Sequence, residues 1–142
     1  MALINYITQV QFDYGALALL QQECDRIGIR KPLIVTDMGI RNAGILDKVV
    51  AQLKDGAQVA VFDQTPPNPN ETAVRAAVKM FRDGACDGII AVGGGSSIDL
   101  AKGVAVCGTH EGTLKSFALI EGGLANITAK TAPVIAIPTT AG

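Results

Sequence analysis

The sequence predicts an α/β fold, a Rossmann-like open parallel sheet with helices on both faces. Three observations carry that prediction. Four short apolar runs rich in β-branched residues recur along the chain, and runs apolar on both faces belong to strands covered on both sides. Amphipathic stretches with helical spacing separate them at about 25 to 30 residues per unit, the rhythm of βαβ connections. The composition is 49% hydrophobic but only 4% aromatic, with no Trp, so the core must be aliphatic, as it is in sheets sandwiched by helices. At 142 residues the chain has the size of one domain.

In chain order, Tyr6-Ile7-Thr8-Gln9-Val10-Gln11-Phe12 alternates partially and is expected as an edge strand or hairpin. Leu17, Leu20, Cys24 and Ile27 share a helical face, ended by Gly28 in a left-handed cap. Pro32-Leu33-Ile34-Val35-Thr36 is the first buried strand. Leu46, Val49, Val50 and Leu53 stripe a second helix that stops at Asp55-Gly56, and Gln58-Val59-Ala60-Val61-Phe62 is the second strand. Thr65-Pro66-Pro67-Asn68-Pro69-Asn70 is a stiff connector. The next helix opens at Asn70 as N-cap, buries Val74, Ala77, Val78 and Phe81, and closes at Gly84. Gly88-Ile89-Ile90-Ala91-Val92 is the third strand, followed by a helix with a small-residue face of Ile98, Ala101, Val104 and Ala105 that ends near Gly108. Residues 109–131 read as a Gly-rich loop with one short helix or hairpin. Pro133-Val134-Ile135-Ala136-Ile137 is the fourth strand. A parallel strand hands over to a helix or another domain, so a continuation beyond Gly142 is expected.

Charge and hydropathy narrow the function. Net charge is -1, from 12 basic and 13 acidic residues, with no basic cluster to engage a phosphate backbone, so nucleic acid is not an expected partner. The longest apolar stretches, about five to seven residues, are too short to span a bilayer. Met1-Ala2-Leu3-Ile4-Asn5 lacks a basic n-region and a cleavage pattern, and a cytoplasmic location is the expectation. Cys24, Cys86 and Cys107 show no C-x-x-C spacing and read as packing residues. His110, the one histidine, follows a helix end beside Glu111 and reads as a surface cap. Three or four converging ligands are needed for a catalytic metal, and this sequence does not assemble them.

Ligands bind an open parallel sheet outside the carboxyl ends of its strands. Asp37, Gly93-Gly94-Gly95-Ser96-Ser97 and Thr139-Thr140 all fall at such ends. Glycines ahead of a helix leave backbone N–H groups bare at its positive end, which suits a phosphate or diphosphate; the other reading is a tight turn with no ligand. The Rossmann fingerprint G-x-G-x-x-G fails, because Ile98 stands at its last position and the loop follows the third strand. No Walker loop is present. Ser96 and Asp99 also fit a capping box, and Lys102 lies an ion-pair distance beyond Asp99. Asp37 is placed either to accept from a ribose diol, favouring NAD over NADP, or to cap the helix starting near Ile40. Thr139 and Thr140 either donate to a nucleotide or satisfy local backbone.

These motifs resemble a known family. Gly93-Gly94-Gly95-Ser96-Ser97-Ile98-Asp99-Leu100-Ala101-Lys102 resembles the G-G-G-S-x-x-D-x-A-K signature of the iron-containing (group III) alcohol dehydrogenases. Ile137-Pro138-Thr139-Thr140-Ala141-Gly142 is similar to their P-T-T-[AS]-G run. Pro67-Asn68-Pro69-Asn70 resembles a P-N-P-T turn, with Asn70 in place of Thr, and Val35-Thr36-Asp37 resembles the first strand and its acidic end. Within the family the stretch most resembles members acting on 4-hydroxybutyrate. The resemblance implies a dehydroquinate synthase-like N-terminal domain that binds NAD, with Gly94, Gly95 and Ser96 at the diphosphate, Ser97 beside them among the cofactor-binding residues, and Asp37 at the adenosine ribose. It places Thr139 and Thr140 on further parts of the dinucleotide, Asn68 at the cleft border, and Asp99 near the phosphate or nicotinamide end.

It also implies hydride transfer between a small alcohol or aldehyde and NAD, assisted by divalent iron or zinc. The metal would be bound in a separate helical C-terminal domain that this sequence does not contain, so these 142 residues alone are expected to be inactive. Further copies of the chain are an open alternative as partners. Two other readings remain: a stand-alone nucleotide-binding module without catalysis, and a relative of glycerol-phosphate dehydrogenase or dehydroquinate synthase.

Overall fold

The computed structural model describes residues 9–110 and 130–140. In chain order its elements are a 3-10 turn at Ala16–Leu19, α1 (Leu20–Ile27), β1 (Pro32–Val35), α2 (Met38–Asn42), α3 (Ile45–Val50), β2 (Ala60–Phe62), α4 (Glu71–Asp83), β3 (Gly88–Gly93), α5 (Gly95–Cys107) and β4 (Val134–Pro138), with a second 3-10 turn at Gly56–Gln58. The four strands form one sheet in the order β2-β1-β3-β4, and every pairing is parallel. From β1 the chain moves outward to β2, then returns to lay β3 on the other side of β1. That reversal of direction opens a crevice at the carboxyl ends of β1 and β3, the switch point where such sheets bind ligands.

The period-two alternation of the inner strands sorts the core into two layers. Leu33, Val35, Ile89 and Ala91 face α4 and α5, meeting Val74, Ala77, Phe81, Leu100, Ala101 and Val104. Ile34, Ile90 and Val92 face the other way, meeting Leu20, Cys24, Leu46 and Val49. β1 and β3 are buried throughout, which explains their unbroken apolar sequence. Burying each such aliphatic side chain contributes about 1.5–3 kcal/mol. Close packing also sets one glycine: a β-carbon on Gly88 would stand 2.4 Å from Ile29 Cγ1.

Several helix ends follow the sequence signals. Gly28 closes α1 at φ 82, with its left-handed backbone. Asn70 opens α4 and accepts from Ala73 N–H at 2.8 Å. Asn70→Ala is therefore expected to lower the stability of the chain by about 1 kcal/mol, read as a reduced urea midpoint at unchanged slope. An unchanged midpoint would remove the cap from the account. At the end of α5, Arg82 Nη2 donates to Cys107 O at 2.9 Å, and His110 N–H donates to Val106 O at 3.0 Å. The histidine ring also contacts Val106 O and Thr109 Oγ1, each at 3.0 Å. It closes the helix, as its position past the helix end suggested. Cys24 and Cys107 are buried and Cys86 is half-buried, none of them in a disulfide. Burial, with nearby carboxylates, pushes the Cys24 thiol up to about 11, so it is a packing group and no nucleophile.

Four expectations need correction. Gln9–Phe12 carry no strand, and residues 6–8 of the expected edge strand lie outside the described residues, as do 111–129 of the expected loop. The expected stripe of Leu46, Val49 and Val50 falls in α3, but its last turn around Leu53 is not helical; the helix expected to start near Ile40 is the separate α2, cut from α3 by Gly44 at φ 80. Gly44 forces that break because its left-handed backbone cannot continue a helix. β2 begins at Ala60, since residues 56–58 are taken up by a 3-10 turn. β4 is not covered on both sides, for Ala136 and Pro138 are exposed. A continuous apolar run does not distinguish a central strand from an outer one.

Candidate nucleotide-binding cleft

All four strands deliver a segment to one rim. Asp37, Met38, Gly39 and Ile40 follow β1, Thr65, Pro66 and Pro67 follow β2, Gly94 and Ser96 follow β3, and Thr139 and Thr140 end the described part of the chain after β4. Together they line a cleft of about 500 Å³, within the range of small-ligand sites. A smaller hollow of about 190 Å³, lined among others by Gln21, Asp25, Arg30, Lys54 and Val59, lies near the amino ends of the strands. Its two acids, Asp25 and Asp55, are matched by Arg30 and Lys54, and ligands of such sheets bind at the opposite, carboxyl ends of the strands. The carboxyl-end cleft is therefore the candidate site.

Its centre is the start of α5. Here the structure departs from the expected capping box: the N-cap is Gly94, at φ -85 and ψ -165, and no side chain caps the helix. Ser96 sits inside the first turn, and its hydroxyl donates to Pro67 O, tying the proline connector to the glycine loop. Asp99 therefore falls beyond the first turn, exposed, with its carboxylate 3.6 Å from Lys102 Nζ, a surface pair worth about 0.2–0.5 kcal/mol. Three consecutive glycines permit several cap registers, and Ser-x-x-Asp matched one that the backbone does not use. The first-turn N–H groups of α5 have no side-chain cap, and Gly94 and Ser96 at this helix start line the cleft.

Gly93, not singled out as a site residue by sequence reasoning, makes the turn possible. Its φ is 145, a region that side chains avoid. A β-carbon on it would stand 2.9 Å from Ser97 Oγ and 3.5 Å from Asp37 Oδ2. Gly94 is constrained by space: its β-carbon would meet Thr140 Oγ1 at 3.2 Å, whereas one on Gly95 would meet nothing within 4 Å. The loop thus approaches β4's end closely and leaves open room above the helix start. Gly93 O also accepts from Thr139 N–H at 2.9 Å, which fixes the threonine pair on the rim.

Among the described residues, two hydroxyls here have no partner. Ser97 Oγ and Thr65 Oγ1 are both buried and unsatisfied, although a buried hydroxyl left unpaired costs about 1–3 kcal/mol. Thr65 was not anticipated; only its position after β2 could have drawn notice. Asp37 bears out its capping role. Its Oδ1 accepts from Ile40 N–H at 2.9 Å and caps α2, while Oδ2 is directed toward Gly93. Gly95 and Ser97 belong to the loop without lining the cleft, and Asn68 and Asp99 do not line it either.

The family model for iron-containing alcohol dehydrogenase matches residues 8–142. The chain belongs to the iron-containing alcohol dehydrogenase family. It is 56% identical over its whole length to the 4-hydroxybutyrate dehydrogenase of Cupriavidus necator, of which it covers 37%. Among solved structures, the NADH-dependent butanol dehydrogenase A of Thermotoga maritima superposes with a TM-score of 0.83 at 28% identity, over 100% of this chain and 35% of that one. The sulfoacetaldehyde reductase of Bifidobacterium kashiwanohense, solved in complex with NAD+, superposes with a TM-score of 0.78 at 28% identity, over 90% of this chain and 33% of that one. The chain thus spans about a third of the length of these relatives, and the α/β fold and family expected from its motifs are those found.

Proposed function

We propose that this chain is the NAD-binding part of a metal-dependent alcohol dehydrogenase that transfers hydride between a small primary alcohol and NAD. The observation that carries the reading is the start of α5, whose first-turn amides have no side-chain cap and which lines a cleft with Asp37, Thr139 and Thr140. A diphosphate satisfies those amides and the helix dipole together. The groups present fit such a ligand: a β-carbon at Gly94 would crowd the loop against Thr140, and the buried Thr65 hydroxyl, on a residue that lines the cleft, has no partner among the described residues. The relative solved with NAD+ supports the choice of dinucleotide. Asp37 Oδ2, left free by the cap, is placed to accept from the adenosine ribose and to repel a 2′-phosphate, which favours NAD.

A bound nicotinamide supplies the hydride acceptor; the chain's own work is to hold it. The glycine loop anchors the diphosphate, Asp37 orients the adenosine end, and the threonines of the β4 end close the near wall. The substrate we assign is 4-hydroxybutyrate or a similar short alcohol, on the strength of the 56% identity to the Cupriavidus enzyme. The described residues do not fit the family's metal, since no group of three or more His, Cys, Asp or Glu among them is arranged to hold an ion. We therefore assign iron or zinc ligation to the region that the longer relatives possess and this chain does not span.

The test is an assay of the 142-residue chain with NAD, 4-hydroxybutyrate and added iron or zinc. NAD binding without turnover is expected. Appreciable alcohol oxidation would show that the catalytic set is complete within these residues and overturn the assignment of the metal ligands elsewhere.

A further inference from the structure

Arg41 follows directly on the lining residues Asp37 to Ile40 and carries a cation that Asp63 keeps occupied. None of the residues lining the cleft is Lys or Arg. Arg41 lies one helical turn beyond Asp37, and its N–H donates to Asp37 O at 3.1 Å. Long helical side chains lean toward the N-terminus, which here is the rim carrying Asp37. Arg41 Nη1 nevertheless pairs with Asp63 Oδ2, on the residue immediately after β2. Asp63 is itself held on its other side, where Gln64 Nε2 donates to Oδ1 at 2.8 Å. Both carboxylate oxygens are engaged, and the Asp63 side chain is only 15% exposed against 53% for Arg41. Gln64 first and then Arg41 keep the Asp63 carboxyl below its usual range, so the anion persists wherever the protein is folded near neutral pH.

We infer that Asp63 is a positioning residue for cofactor choice: by holding the Arg41 guanidinium, it withholds a phosphate-binding cation from the adenosine ribose end of the cleft. The inference rests on the NAD reading above and adds a second layer to it. Asp37 repels a 2′-phosphate directly, whereas Asp63 acts through Arg41. A freed guanidinium one residue beyond the lining residue Ile40 has the forked donors that match a phosphate.

The experiment compares dissociation constants of NAD and NADP by calorimetry on the full chain at low ionic strength. Asp63→Asn is expected to improve NADP binding relative to NAD by about fivefold to tenfold, the size of one solvent-weakened charge-assisted contact. Asp63→Glu, which keeps the tether, should retain the parent ratio. Asp63→Asn combined with Arg41→Gln should return to it. An unchanged ratio in Asp63→Asn, or a shift that persists in the double variant, would overturn the inference, because a merely structural ion pair predicts no dependence on Arg41. If Asp63→Asn does not fold, Arg41→Gln alone decides: a tethered guanidinium contributes nothing to NADP, so the ratio should stay fixed, and a loss of NADP affinity would contradict the tether. Failure of the underlying reading looks different, since the parent would then bind neither dinucleotide.

Discussion

Gly93→Ala is expected to cost the chain both stability and cofactor binding. At φ 145 an alanine carries backbone strain of about 1–3 kcal/mol. Its methyl would lie 2.9 Å from Ser97 Oγ and 3.2 Å from Ser97 Cβ, and Ser97 is fully buried, so the contact is not relieved by swinging a side chain outward. The peptide has two ways to respond. It can rotate, which breaks the bond from Thr139 N–H to Gly93 O, or it can push the first turn of α5 away. Either one displaces the amides that are assigned the diphosphate. A loss of about 2–3 kcal/mol in unfolding free energy and at least about tenfold in NAD affinity is the expected result. Parent-like melting and binding would show that the loop tolerates a side chain and is not held as described.

Gly94→Val separates binding from folding. The backbone at Gly94, φ -85 and ψ -165, is open to any residue, so the substitution carries no conformational strain. The added β-carbon would come 3.2 Å from Thr140 Oγ1, and Thr140 is exposed and free to turn. The two methyl groups of valine then stand in the cleft over the start of α5, in the space reserved for phosphate oxygens. NAD affinity should fall by about tenfold to a hundredfold while the melting temperature stays close to that of the parent. Equal affinity in the two proteins, measured by calorimetry, would exclude Gly94 from the contact surface. The neighbouring glycines are thus expected to differ in kind: Gly93 fails through the backbone, Gly94 through occupied space.

How much of this was legible in the sequence depended on which interaction decides each feature. β1 and β3 were legible because burial on both faces leaves an unbroken apolar run, and the alternation of Leu33 and Ile34 into opposite layers follows from strand geometry alone. The Asn70 cap and the Gly28 terminus were legible because each is set by one residue's own chemistry. The start of α5 was not, because Gly93, Gly94 and Gly95 are all permissive and the choice among registers is made by Ser97 fitting under Gly93 and by Ser96 reaching Pro67. The outer position of β4 was hidden for a different reason: its sequence is as apolar as that of β3, and only the pairing shows which strand is central. Of the two readings of Asp37, the structure shows the cap, which uses one carboxylate oxygen and leaves the other for the ribose contact proposed above. The orphaned hydroxyls of Ser97 and Thr65 have no sequence signature, since an unpaired group exists only relative to its surroundings.

The most direct measurement is an NMR titration of the isotopically labelled chain with NAD, following each backbone amide. The largest shifts should appear at Gly94, Gly95, Ser96 and Ser97, accompanied by Asp37 to Ile40 and by Thr139 and Thr140. Shifts concentrated instead around Gln21, Lys54 and Val59, at the amino ends of the strands, or a spectrum unmoved by saturating NAD, would contradict the placement of a dinucleotide at the start of α5.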